Sequence, residues 1–393
     1  MTLPSALAAR APYPLTPMDL ATGYLAGLDD SRPDVEASAV ADFASGFRGV
    51  ISDAIAGRPA FVSFSGGRDS SAILAVATDE ARRLGQPDPV PVTLRVEGSA
   101  AADETWWQEL VVRHLGLRDW IRIPVREELD VLGPVAMRTL SAHGLLYPAN
   151  AYFHDLIAEH TEGGVLLTGA GGDELLDRSY AQHHAFVRLG EQRLTPRTAS
   201  AIAVSLLARP VYARAGARQV PRLPWLLKRT QRRFGLQLMD GFAAPVTGWA
   251  RGVRSLPRMR AMVGLQRGQE LIGRARATTM RNPFLDPRAI GAAMAHGGMR
   301  GLGGRVAATR LLAGELLPDD VPLRQTKASF EDAMWTESSL RRVRSGELVD
   351  VIAADPHMAS LLDLTQLRSQ WREPVPHAHT ALLAQVAQLA LSG

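Results

Sequence analysis

The apolar run Phe61-Val62-Ser63-Phe64 passes straight into Ser65-Gly66-Gly67 and then into a stretch of helical periodicity from Ser70 to Leu84, closed by Gly85. A short strand that turns on two glycines into a helix is the opening unit of a parallel sheet, because parallel neighbours need a crossover long enough to hold a helix. The unit repeats. Val90–Val96 reads as a second strand, and the helix through Thr105-Trp106-Trp107-Gln108-Glu109-Leu110-Val111 ends before Gly116. A third strand lies around Trp120–Val125, and a helix near Ala151–His160 precedes a fourth apolar run, Val165-Leu166-Leu167-Thr168. The expected fold class is α/β, a doubly wound parallel sheet with a helical lead-in and a helical C-terminal region. Residues 1–58 form the lead-in, with Val40, Phe43, Phe47 and Ile51 at helical spacing; 59–190 form the α/β core; 191–393 form the mainly helical remainder, where strand signals end after Arg188. The Arg-rich stretch from Arg209 to Gly235 interrupts that helical pattern and reads as a solvated loop or surface helix.

In a doubly wound sheet, ligands bind at the carboxyl ends of the strands, so the loops after Phe64 and after Thr168 are expected to face one crevice. The first loop places backbone N–H groups and the hydroxyls of Ser65, Ser70 and Ser71 at a helix N-terminus, where the macrodipole favours anions. Gly66 and Gly67 permit close backbone approach, Arg68 stands at the turn, and Asp69 is a candidate Mg²⁺ ligand against phosphates. The Gly-Lys-Ser/Thr ending of a P-loop is absent, which disfavours a kinase-like reading. The second loop, Gly169-Ala170-Gly171-Gly172-Asp173-Glu174, brings a further carboxylate, Asp173, to the end of another strand. Two carboxylates from two loops, completed by phosphate oxygens and water, suit Mg²⁺.

Composition removes other chemistries. With no cysteine among 393 residues, disulfides, thiolate metal sites and cysteine nucleophiles are excluded. No run of about 18 apolar residues exists, and the start carries Arg10 and prolines where a signal peptide needs an apolar core, so a soluble, cytoplasmic protein is expected. A net charge of +4 is small for this length and does not call for nucleic acid. Of 44 Lys plus Arg, only Lys228 and Lys327 are lysines. In such a background a lysine is either chance or a place where a compact, rotatable ammonium cannot be replaced by a planar guanidinium.

Together these motifs resemble the synthetase domain of the asparagine synthetase family, whose core is an adenine nucleotide α-hydrolase, or HUP-like, ATP pyrophosphatase fold. The family's pyrophosphate loop reads Ser-Gly-Gly-x-Asp-Ser-Ser and its later loop Gly-x-Gly-x-Asp-Glu. The family also carries an essential lysine after a Leu-Pro-x-x-Val segment. This chain has Leu317-Pro318-Asp319-Asp320-Val321, then Lys327 and Phe330. The resemblance implies ATP and Mg²⁺ as cofactors, with Ser65, Gly66, Gly67, Arg68, Asp69, Ser70, Ser71, Gly171 and Gly172 around the nucleotide. It implies Asp69 and Asp173 on the metal and Lys327 as the catalytic cation. The reaction it implies is adenylation of a carboxylate with loss of pyrophosphate, followed by amide formation as a nitrogen nucleophile displaces AMP.

Two departures shape the expectation. Glutamine-dependent members begin Met-Cys, whereas this chain begins Met1-Thr2-Leu3, so a stand-alone synthetase without a glutaminase domain is expected. Ala170 stands where asparagine-forming members carry a glutamate and β-lactam synthetases a tyrosine that help deprotonate the nucleophile. Another group must take that role, with Glu174, His143, Tyr180, His183 and His184 as candidates. A specialised amide ligase akin to β-lactam synthetases and lasso-peptide cyclases fits better than a housekeeping asparagine synthetase. The alternative is an ATP-binding homologue that has lost turnover and serves as a scaffold. Expected partners are a small-molecule or peptide carboxylate and an amine, with a homodimer or a biosynthetic partner protein left open, and neither nucleic acid nor membrane.

Overall fold

A computed structural model describes residues 11–39, 42–98, 102–176, 193–205, 207, 209–218, 220–242, 248–326, 328, 330 and 332–392. Lys327, Tyr180, His183, His184 and Val40 of the sequence reading lie outside the described residues.

Four strands fall where the alternating pattern puts them, within a residue at each end: β1 (Ala60–Ser63), β2 (Val90–Val96), β3 (Ile121–Val125) and β4 (Val165–Leu167). A fifth, β5 (Thr279–Arg281), corrects the expectation that strand signals end after Arg188. It is three residues long, and its only large apolar side chain is Met280, so its sequence carries no strand periodicity. Pairing with β4 specifies it instead, with Val165 opposite Thr279 and Leu167 opposite Arg281. The sheet is parallel throughout in the order β3-β2-β1-β4-β5. The chain therefore winds outward from β1 through β2 to β3, then returns to the other side of β1 with β4. That reversal between β1 and β4 is the topological switch point.

The helices follow in chain order: α1 (Phe43–Ile55), α2 (Arg68–Arg83), α3 (Thr105–His114), α4 (Phe153–Ala158), α5 (Gly172–Leu176), α6 (Arg260–Ala275), α7 (Pro287–Gly297) and α8 (Gly304–Ala313). Helix α1 packs on α2 and α7, and α8 on α1 and α2, whereas α4 packs on β2 and α6, and α6 on β5. The lead-in is helical at Pro17–Thr22 and in α1, whose Phe43, Phe47 and Ile51 are fully buried. The Arg-rich stretch is largely helical, in Arg209–Ala217 and the start of Lys228–Phe242. Trp225, between those helices, is fully buried and donates from Nε1 to the Ala21 carbonyl at 2.9 Å. Among the described residues no helix is long and apolar enough to cross a membrane.

The α1–α7 seam holds the helices that carry the site against the sheet. Phe47 stacks on Phe284, just ahead of α7, with ring centroids 4.8 Å apart. Truncation to Phe47→Ala is expected to cost about 3–5 kcal/mol, because the cavity cannot collapse between packed helices. A urea titration of the variant beside the parent checks this through the shift in midpoint.

Candidate active site

The β1–α2 loop is shaped by its backbone before any ligand is considered. Gly66 sits at φ 81°, in the left-handed region, and a Cβ there would lie 2.9 Å from Gln108 Cγ. Only glycine satisfies both constraints. Gln108 Nε2 donates to the Ser65 carbonyl at 3.2 Å, so the loop is held from the α3 side. Gly67 then caps α2 with no side-chain hydrogen bond, leaving the positive end of the helix dipole facing the crevice. Ser65 is exposed, its Oγ 3.2 Å from Ser70 Oγ, and Ser70 Oγ donates to the Gly67 carbonyl at 3.1 Å. Arg68 and Asp69 open the helix and are half-buried. Ser71 is fully buried on the inner side of α2, its hydroxyl without a partner among the described residues.

The β4–α5 loop comes into contact with this one. A Cβ on Gly172 would lie 2.6 Å from both Cγ and Oδ2 of Asp69, so the absence of a side chain at 172 is what lets the Asp69 carboxylate stand there. Gly171, at φ 87°, has Leu285 packed beneath it. The structure thus brings together the two loops, and it also brings Asp69 and Asp173 to either side of one guanidinium. Arg305, from the first turn of α8, donates from Nη2 to Asp69 Oδ2 at 2.8 Å and from Nη1 to Asp173 Oδ1. Burial opposes the charge on Arg305, but the carboxylates of Asp69 and Asp173 outweigh it and raise its pKa above the usual arginine value.

Arg305 was not among the residues singled out from sequence. One cue was available: a cation in the first turn of a helix works against the macrodipole, so an anion is expected nearby. In a chain this rich in arginine, that cue does not stand out.

Two carboxylates close enough to share one guanidinium form a donor pair suited to a hard cation. Among the described residues no group of three or more acidic or histidine side chains surrounds them. The rest of a Mg²⁺ shell would therefore come from phosphate oxygens and water, the usual arrangement for that ion. The chemistry of Asp69 and Asp173 fits such an ion, and in this structure the Arg305 guanidinium stands between them.

Behind Ala170 runs a directed chain of hydrogen bonds. The Ala170 N–H donates to Thr168 Oγ1 at 3.3 Å, Thr168 Oγ1 donates to Asn282 Oδ1, Asn282 Nδ2 donates to Gln269 Oε1 at 2.7 Å, and Gln269 Nε2 meets His154 Nε2 at 3.0 Å. With Gln269 donating, His154 Nε2 must accept, which requires a neutral ring. Burial pushes the His154 pKa down to about 4, in accord with that role. His143 ends the helix Pro134–His143 at its basic last turn, and Glu174 is half-buried on α5.

A parallel doubly wound sheet with a glycine loop and helix N-terminus at its switch point is the α/β architecture that binds ligands at the carboxyl ends of its strands. The chain belongs to the asparagine synthase family: the family model described as asparagine synthase matches residues 48–392. No curated protein matches it. Membership makes the protein, in general terms, an ATP-dependent ligase of the amide-forming type.

Because folding depresses the His154 pKa from the ordinary 6.5 to about 4, the unfolded chain binds a proton that the folded one does not between those values. Stability should therefore fall as pH drops through that window, by at most about 3 kcal/mol. His154→Gln keeps an acceptor without a titration, and its urea midpoint should change less between pH 7 and pH 5 than that of the parent.

Proposed function

We propose that this chain is an AMP-forming ligase that adenylates a carboxylate, releases pyrophosphate and forms an amide with a nitrogen nucleophile. The observation that carries the reading is the meeting of Asp69 and Asp173 across the bare backbone of Gly172, in front of the N-terminus of α2. A triphosphate laid along the Ser65–Ser71 loop would meet N–H groups and the dipole on one side and the carboxylate pair on the other. Mg²⁺ held by Asp69 and Asp173 would neutralise phosphate charge and polarise the leaving pyrophosphate. Arg305, released from the carboxylates, is within the same cluster and adds a positive charge where the pyrophosphate charge develops.

In the first step, a carboxylate oxygen of the acid bonds to the α-phosphorus as the bond to the β-phosphate oxygen breaks. In the second, nitrogen attacks the acyl carbon and AMP leaves. Lys327 is proposed as the cation beside the α-phosphate, on the strength of its place after Leu317-Pro318 and of the chain's scarcity of lysine. Ala170 accepts no proton, so the proton of the attacking nitrogen goes to another acceptor, the substrate included. His154 does not serve: its Nε2 is engaged with Gln269, and its low pKa makes it a weak base. The substrates are a small-molecule or peptide carboxylate and an amine, as in specialised metabolism, and a second copy or a biosynthetic protein is the proposed partner.

Ala170, together with a guanidinium between the two carboxylates, favours one second reading: a homologue that binds ATP and acts as a scaffold without turnover. The two differ in pyrophosphate. Incubation with Mg-ATP and a panel of acids and amines should release pyrophosphate and AMP in equal amounts. Asp69→Asn or Lys327→Ala should lower that release by roughly a hundredfold or more. Mg-ATP binding with no pyrophosphate from any acid supports the scaffold instead, and full activity in both variants contradicts the proposed site.

A further inference from the structure

Arg324 lies in none of the motifs above, yet it is almost fully buried, with 4% of its surface exposed. A lone buried guanidinium is costly, so its partners report what it is for. Nη1 donates to the Gly66 carbonyl at 2.5 Å, Nη2 donates to Glu104 Oε1 at 2.7 Å, and Nε donates to the Thr326 carbonyl at 3.0 Å. The guanidinium carbon also sits 4.6 Å from the centre of the Trp107 ring. These partners belong to three separate pieces of chain: the glycine loop after β1, the residues leading into and opening α3, and the turn that follows Asp320–Leu323.

The contact with Gly66 bears on phosphate binding. A peptide unit is planar and trans, so its C=O and the N–H of the next residue point in opposite directions. Fixing the Gly66 carbonyl on Arg324 fixes the orientation of the Gly66–Gly67 peptide. Gln108 does the same for the Ser65–Gly66 peptide by donating to the Ser65 carbonyl. Both carbonyls of the glycine turn are thereby held on the α3 side. Gly66, at φ 81°, has no steric preference of its own that would keep the turn in this shape.

We propose that Arg324 is a positioning residue for the nucleotide. It locks the Ser65-Gly66-Gly67 turn in the form that directs its N–H groups away from α3, with the Gly67 N–H donating to the exposed Ser65 Oγ at 3.3 Å on the side where phosphate would lie, and Glu104 in turn holds Arg324. This rests on the Ser65–Ser71 loop being the phosphate site. The planar fork suits the role because it reaches acceptors in several directions from one plane, which an ammonium on a flexible stem does not reproduce.

The test uses the full chain and two variants. Arg324→Lys keeps a positive charge beside Glu104 but cannot reach the Gly66 and Thr326 carbonyls together. The double variant Arg324→Met with Glu104→Gln removes both charges, so no carboxylate is left buried and unpaired. Calorimetry with Mg-ATP and with adenosine, beside thermal unfolding, provides the readout. The expected result is a Mg-ATP dissociation constant raised roughly tenfold to a hundredfold, as for loss of one charge-assisted hydrogen bond, with adenosine affinity and unfolding midpoint near the parent values. Mg-ATP binding at the parent level in either folded variant overturns the inference. Loss of folding in both overturns it in favour of a purely structural role. If the unmodified chain binds no Mg-ATP, the phosphate-site reading fails, and the inference fails with it.

Discussion

The parallel pairing of β1 with β4, Val62 opposite Leu167, is the constraint on which the site depends. The two strands are more than a hundred residues apart in the chain, yet the register places their carboxyl ends level, so the loops that leave them are forced into contact. Contact at this range demands that one loop have no side chain, and Gly172 meets that demand beneath Asp69. Two carboxylates are then brought to one spot. Like charges so placed repel, and a cation between them is required. The guanidinium of Arg305 supplies it here, and a divalent ion can supply it with a triphosphate present.

The strand–glycine–helix geometry of the two loops was legible in the sequence because its determinants are local. A strand that turns on Gly66 and Gly67 into a helix is written in consecutive residues, and so is the Gly171-Gly172-Asp173-Glu174 turn. Strand β5 was not legible, since Thr279-Met280-Arg281 has no periodicity and becomes a strand only against the completed edge of β4. Arg305 and Arg324 escaped for a related reason. Each acts on a loop more than two hundred residues away, and the adjacent sequence marks Arg324 not at all and Arg305 only by its place in a helix's first turn, which an arginine-rich chain obscures. Ser71 shows what a motif leaves out: its consecutive residues do not tell that the first turn of α2 fully buries this hydroxyl while Ser65 stays exposed.

In the proposed reaction, the acceptor half turns on where the nucleophile's proton goes when Ala170 cannot take it. The polar chain behind that residue runs in one direction, from the Ala170 N–H through Thr168, Asn282 and Gln269 to a neutral His154. Carboxamide groups relay orientation well and protons poorly, since each would have to pass through an imidic acid form. The chain therefore fixes the position of the β4 loop and brings no proton acceptor to Ala170 itself. Amide formation at such a site favours a nucleophile that is already neutral, or one whose own substrate carries the acceptor.

The strong preference for arginine over lysine fits the way charge is used around the glycine loop. At Arg305 one guanidinium spans two carboxylates, and at Arg324 one spans two carbonyls and a carboxylate. Both tasks need several donors fixed in a plane, which hold surrounding groups in place. A cation that must follow charge from a phosphate to a leaving group has the opposite requirement, since its donors should rotate and its charge should be compact. In the proposed reaction the two duties fall to different residue types: Arg324 holds the glycine loop, and Lys327, one of only two lysines in the chain, is the compact cation proposed for the place where charge moves.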